Sequence, residues 1–147
     1  MKLSTRARYA LRMMLQLARK GPGQTVVSLA VIAETTGISR RYLEQLAMDL
    51  RGASLIRGKS GRRGGYELAK PASAIRLGEI VEAAIGPINI VDCILEPEIC
   101  IKGEFCECRT IYRLINQRIT EVLNEFSLAD LASERWLESL RRQLDAQ

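Results

Sequence analysis

Apolar residues recur at helical spacing along the first third of the chain. Ala7, Ala10, Leu11, Met14, Leu15 and Ala18 step by three and four behind a start at Ser4 or Thr5, and the run stops at Gly21-Pro22-Gly23. Ser28 opens a shorter stripe of Leu29, Ile32 and Ala33 that halts at Thr36-Gly37. Ser39 opens a third, with Leu43, Leu46, Ala47 and Leu50 along one face of a helix of about three turns. Helix, tight turn with glycine, helix is a helix-turn-helix pattern. Leu55 and Ile56 then begin an extended stretch, glycines and basic residues fill Gly58 to Gly65, and Tyr66 and Leu68 resume alternation. This predicts a two-stranded wing with a cationic tip. Pro71 closes its second strand, Ile75 to Leu77 is expected to add a short edge strand, and Ile80, Val81, Ala84 and Ile85 form a short helix ending at Gly86-Pro87.

From Pro87 to Arg109 no period survives, and this irregular loop holds all four cysteines. Regularity returns as a four-turn stripe of Ile111, Leu114, Ile115, Ile119, Val122, Leu123 and Phe126. A lone helix beyond a small domain cannot bury such a stripe against its own chain, so a second copy is its natural cover. Ser127 with Asp130 resembles a capping box for a short helix through Leu131, and Trp136, Leu137 and Leu140 end the chain as a helix able to pack back on a domain. The expected fold is mainly α with a small β wing. Residues 1–86 form a winged helix-turn-helix domain, 87–109 the cysteine loop, and 110–147 a dimerisation helix with C-terminal helices.

Composition adds to this picture in two ways. At 147 residues and 47% hydrophobic, the chain can bury one good core. No run approaches the roughly 20 apolar residues of a membrane span, and MKLSTRARY lacks the apolar core of a secretory signal. A soluble, cytoplasmic protein is expected. The net charge of +5 conceals a split: residues 1–76 hold 15 Lys/Arg against 4 Asp/Glu, or +11, and residues 77–147 hold 7 against 13, or −6. Such asymmetry assigns a polyanion to the first half, and nucleic acid is the first choice.

The candidate DNA-facing residues follow from position. Arg40, Arg41, Tyr42, Glu44, Gln45 and Arg51 lie on the third helix off its apolar stripe, with Met48 among them, and Lys59, Arg62 and Arg63 lie in the wing. These types can hydrogen-bond base edges or pair with phosphates, and they cluster where helix-turn-helix proteins touch bases. Arg6, Arg8, Arg12 and Arg19 decorate the first helix and are candidates for phosphates. An ordinary solvated face is the competing reading of both sets.

Cys93, Cys100, Cys106 and Cys108 are separated by six, five and one residues. A disulfide is disfavoured in the cytosol. Zinc prefers closely spaced Cys-x-x-Cys pairs, which are missing. Four unrelated core cysteines fit poorly in a polar loop. An iron–sulfur cluster tolerates irregular spacing, so spacing alone places it modestly ahead. With no histidine, no Cys-x-x-Cys and no phosphate-binding glycine loop, the chain offers no conventional nucleophile and base pair, and an enzyme is not expected.

Taken together, MKLSTRARYALRMML, SRRYLEQL, GRRGGYELAKPASAIRLGEIVEA and a cysteine loop before a long helix resemble the winged-helix regulator family of IscR, NsrR, RirA and CymR, over nearly the whole chain. RYLEQL at Arg41 to Leu46 and RGGYEL at Arg63 to Leu68 are the most specific pieces. The resemblance implies a homodimer with crossed long helices, recognition helices in successive major grooves of a palindromic operator, and wings reaching the minor groove. By position it makes Arg41, Glu44 and Gln45 base readers, Arg62 and Arg63 minor-groove contacts, and Cys93, Cys100 and Cys106 cluster ligands of a 2Fe-2S or 4Fe-4S centre. Two departures stand out. Arg109 occupies the place of the histidine ligand of some members, and Arg8 the place of a carboxylate ligand of others. Cys108, Glu104, Glu107, another carboxylate of the dimer or an exogenous ligand is left for the fourth position.

The function expected from sequence is a DNA-binding transcription regulator, a repressor, whose operator binding is controlled by an iron–sulfur cluster. The alternative drops the cluster and keeps the DNA binding, with direct thiol chemistry or a partner protein as the signal.

Overall fold

Ser4 accepts the Ala7 N–H at 3.1 Å and opens α1 (Thr5–Arg19) where the pattern predicts. The computed structural model describes residues 2–20, 26–101 and 106–146. The same hydroxyl cap recurs at Ser28 for α2 (Leu29–Thr36) and at Ser39 for α3 (Arg40–Gly52). The expected break at Gly21-Pro22-Gly23 lies outside the described residues. Gly37 ends α2 at φ 71° and donates to the Ala33 carbonyl at 2.9 Å. That left-handed conformation suits a residue without Cβ, and it lets the chain turn into α3 within residues 37–39.

β1 (Ile56–Lys59) and β2 (Gly65–Leu68) form the wing, an antiparallel hairpin in the register Ile56↔Leu68 to Lys59↔Gly65. The other side of β2 is tied to the start of α2, because Val27 and Tyr66 exchange both backbone hydrogen bonds at 2.9 Å. A Cβ on Gly65 would stand 2.4 Å from the Val27 carbonyl oxygen, so only glycine allows this approach.

The edge strand expected at Ile75 to Leu77 does not form. Leu77 already begins α4 (Leu77–Ile85), and the segment supplies a single bridge, Arg76↔Ser127. Ile75 faces the core and Leu77 sits in a helical first turn, which mimics a strand's alternation without extended pairing. The Arg76 N–H donates to the Glu79 carboxylate at 2.7 Å, capping α4 one turn ahead of its apolar stripe. Around the bridge, Leu77 N–H donates to Phe126 O at 3.1 Å and Leu128 N–H to Ile75 O at 2.8 Å. These bonds return the chain to the first half after α5 (Glu107–Glu125), and Ser127 with Asp130 forms the expected capping box for α6 (Leu128–Ala132).

The core lies between α1, α2, α3, α4, the wing and α6. Met13, Met14, Leu17, Ile32, Leu43, Leu46, Leu50, Leu55, Ile56, Ile75, Ile80 and Leu128 are sealed from solvent. α7 (Glu134–Asp145) packs on α6, and Trp136 meets Phe126 edge-on at 5.0 Å between ring centres. None of the helices is long and apolar enough to cross a membrane among the described residues.

Candidate functional site

α3 buries Leu43, Leu46, Ala47 and Leu50, and this fixes what its other face presents. Arg41, Glu44, Gln45, Met48 and Arg51 are exposed there, Met48 at 69%. Arg40 is exposed too but pairs along the helix with Glu44 at 3.4 Å, so the two charges face the same surface as a partly neutralised couple. Tyr42 is half-buried, its ring edge-on to Tyr9 at 5.4 Å, which braces α3 on α1. A cleft of about 400 Å³ runs between the start of α2, Arg40 and Glu44 on α3, and Gly64 to Tyr66 of the wing.

The wing's cations divide into two groups. Arg62 and Arg63 are exposed at the tip and share a depression with Lys20. Arg57 and Lys59, on β1, both approach the Glu67 carboxylate of β2. Neither Arg57 nor Glu67 stands out in the sequence, although the hairpin register that the Gly-rich turn implies would have placed them opposite each other.

Of the α1 arginines, Arg6 turns inward. It pairs with Asp49 of α3, and its Nε donates to the Ala84 carbonyl in the last turn of α4 at 2.7 Å. It therefore ties the recognition helix to the place where the chain leaves for the cysteine segment. Arg8 and Arg12 stay on the surface, Arg8 bonded to Thr5 and Arg12 over the Tyr9 ring at 5.7 Å.

Cys93 lies in a tight turn at Asp92–Ile94, and Cys100 follows another at Pro97–Ile99. Cys106 is the N-cap residue of α5, and Cys108 stands in its first turn. The expectation that all four share one irregular loop is thus corrected at Cys108. Glu107 and Cys108 begin α5 one turn before the apolar stripe, an end where an acidic residue is favoured by the helix dipole. Cys93, Cys100 and Cys106 are half-buried and Cys108 is exposed, all as free thiols. Glu104 lies outside the described residues.

Tyr112 stands one turn beyond Cys108 on α5. Its phenol is held above the usual tyrosine value, first by repulsion from Cys108, then by burial, by its hydrogen bond with Cys108 and by the charges of Cys106 and Cys93. Cys108 is the thiol that bonds to this hydroxyl, and Cys106 and Cys93 act on it only through charge. The thiols are not gathered as metal ligands: among the described residues no three His, Cys, Asp or Glu side chains are grouped closely enough to hold a metal ion. The donors have the right softness for an iron–sulfur cluster, and Cys93, Cys100 and Cys106 would have to draw together to hold one.

Asn116 clamps the segment to α5, accepting the Ile90 N–H and donating to the Ile88 carbonyl, both at 3.0 Å. Along the rest of α5 no residue is buried. Ile111, Leu114, Ile115 and Val122 are 52%, 48%, 37% and 52% exposed, an apolar face left about half open among the described residues.

A helix-turn-helix with a basic hairpin at its side, joined to a long uncovered helix, defines the winged-helix class of DNA-binding transcription regulators. Comparison with known proteins names the family within that class. The chain belongs to the Rrf2 family, described as iron-dependent transcriptional regulators, which it matches over residues 3–134. It is 42% identical over 134 residues to the HTH-type transcriptional regulator CymR of Bacillus subtilis, covering 90% of this chain and 91% of that protein. It is 38% identical over 138 residues to the HTH-type transcriptional regulator IscR of Yersinia enterocolitica, covering 92% and 81%. The solved structure of CymR, the global cysteine regulator of B. subtilis, superimposes with a TM-score of 0.76 at 37% identity over 90% of this chain and 96% of that one. The resemblance carried by RYLEQL and RGGYEL is thereby confirmed, and with it a DNA-binding regulator and not an enzyme.

Proposed function

We propose that the chain acts as a homodimeric cytoplasmic repressor on palindromic operator DNA. Residues 1–86 bind DNA, α5 pairs with its copy, and the cysteine segment between them controls operator binding. The observation that carries this reading is the exposed face of α3 set beside the basic wing tip, with Arg41, Glu44, Gln45 and Arg51 on one and Arg62 and Arg63 on the other. Arg41, Glu44 and Gln45 are the base readers. Arg40 and Arg51 take phosphates, Tyr42 positions α3, and Arg62 and Arg63 enter the minor groove. A two-fold dimer presents two α3 helices, and an operator matching it repeats its half-site with the same symmetry.

Control runs through the route from α5 to α3. Asn116 holds the segment on α5, α4 receives its other end, and Arg6 joins the end of α4 to Asp49 of α3. A change at the cysteines shifts DNA affinity only by its differential preference between two arrangements of the dimer. The family's description as iron-dependent supports an iron–sulfur cluster on Cys93, Cys100 and Cys106, with Cys108 as the candidate for the fourth position. A second reading, direct thiol chemistry, is supported by the similarity to CymR, the global cysteine regulator of B. subtilis, and by four free thiols that form no metal-binding group among the described residues. Iron, sulfide and visible absorbance measured on protein purified without oxygen separate the two. Stoichiometric iron and sulfide, lost in Cys93→Ala, Cys100→Ala and Cys106→Ala, supports the cluster; their absence after anaerobic reconstitution leaves the thiols.

The DNA reading itself is tested by fluorescence anisotropy on an operator selected from random duplexes. The expected result is nanomolar-range binding that weakens steeply with salt, at roughly −0.9 in log K per log salt for each phosphate neutralised. A slope near zero overturns it.

A further inference from the structure

Glu67 is the one buried carboxylate among the described residues of the basic half, 5% exposed. It lies on β2 directly across from Arg57 and diagonally from Lys59. Its Oε1 is 3.3 Å from Arg57 Nη2 and its Oε2 3.1 Å from Lys59 Nζ, while the two basic side chains remain 62% and 54% exposed. The Lys59 contact lacks hydrogen-bond geometry, so it is held by charge and not by a directed bond. Arg62 and Arg63 at the tip form no ion pair among the described residues. One hairpin therefore carries two cations that are occupied and two that are free.

We propose that Glu67 is a specificity-determining residue that withholds Arg57 and Lys59 from DNA phosphates and leaves the wing to meet DNA through Arg62 and Arg63. This rests on the assignment of the wing to DNA. Phosphate contacts carry no sequence information, so every additional free cation strengthens binding to any duplex. On an operator, base contacts by α3 fix the register and limit which phosphates the strands reach. On random DNA the protein can shift until each free cation finds a phosphate. Specificity is the difference between the two affinities, and a buried carboxylate under the strand cations lowers the random one. Lys59 then belongs to the wing's internal structure and not to its DNA-binding set.

The test is Glu67→Gln in the full-length protein, titrated with salt on operator and random duplexes. The amide keeps the side-chain shape and leaves both cations in solvent, where neither needs a partner. Tighter binding to random DNA is expected, with the salt slope steeper by roughly 0.9 for each freed cation and the operator-to-random ratio falling several-fold. The double variant Glu67→Gln/Arg57→Gln should give back about half of the added slope. Unchanged slopes, or weaker binding to both duplexes, overturn the proposal. Arg57→Gln alone decides the matter even if the Glu67→Gln variant folds poorly. It should leave the random-DNA slope unchanged, whereas Arg63→Gln makes it shallower by roughly 0.9. Equal losses in those two variants contradict the withholding role, and no loss in Arg63→Gln refutes the wing's contact with DNA instead.

Discussion

α3 and α5 both carry an apolar stripe at helical spacing and end in opposite states. Leu43, Leu46 and Leu50 of α3 are sealed, while Ile111, Leu114 and Val122, also on one helical stripe of α5, are about half exposed. Periodicity is equal in the two helices; what differs is the supply of neighbours. α3 is enclosed by α1, α2, α4 and β1, but α5 touches its own chain mainly through α4 and the turn that carries Cys93. The winged half closes its core with α6 of its own chain, whereas the open face of α5 is the one that the proposed function assigns to a second copy. The proposed regulation uses that difference: a DNA-reading unit with its own core would be repositioned by an element whose packing responds to assembly and to the cysteines.

The largest expected effect attacks the exposed helix. Ile115→Glu with Val122→Glu places two charges per chain into the face assigned to the second copy, an arrangement that is costly without partners. Sedimentation at micromolar concentration should show a folded monomer; a surviving dimer means that the stripe has another role. Next, Leu46→Ala should destabilise the winged half by about 2 to 5 kcal/mol, as for other sealed leucines. Leu114→Ala should change its unfolding by no more than about 0.5 kcal/mol while weakening the dimer. Equal thermal shifts for both would erase the contrast. Within the DNA face, Gln45→Ala should relax base preference at one operator position by about 1 to 3 kcal/mol, and Arg12→Ala should weaken all sequences alike.

The smallest effect lies at the junction of the halves. Burial pushes the Glu79 carboxyl up, but the Arg76 N–H and the Lys70 ammonium outweigh it and hold the group below its ordinary 4.5. The Ser127 hydroxyl and N–H hold Asp130 below its ordinary 3.8. Depressed carboxyls stabilise the fold above their unfolded values, and that contribution disappears as pH falls through the folded ones. Thermal melts should therefore weaken below about pH 4.5, and Asp130→Asn should flatten part of that acid limb. A variant with the wild-type acid profile contradicts the assignment.

How far the sequence could be read follows from where each instruction is encoded. Ser4, Ser28, Ser39 and Ser127 are legible because a cap acts on the turn immediately after it. The wing was legible from its glycines and the alternation around them. The lost strand at Ile75 was not, since its fate depends on Phe126 to Leu128, about fifty residues on. Cys108 was misplaced because the first turn of α5, Glu107 to Arg109, contains no aliphatic residue to announce a helix. Arg6 read as a surface charge, and its turn toward Asp49 and Ala84 exists only once α1, α3 and α4 meet. Tyr112 bonds to Cys108 across one turn of α5, a partnership that nothing in the cysteine spacing announces.

The central claim is that the cysteine segment and α5 control the winged half. Its most direct measurement is operator affinity of the dimer under anaerobic conditions, for matched preparations with the cysteines reduced and bare, and with them cluster-loaded or oxidised. Coupling between sites of this kind amounts to about 5- to 150-fold. Wild type should show a change of that order, and a variant carrying Cys93→Ala and Cys106→Ala should bind the operator equally in all preparations. Identical affinities in every state of the wild-type cysteines, with dimerisation intact, would contradict the account.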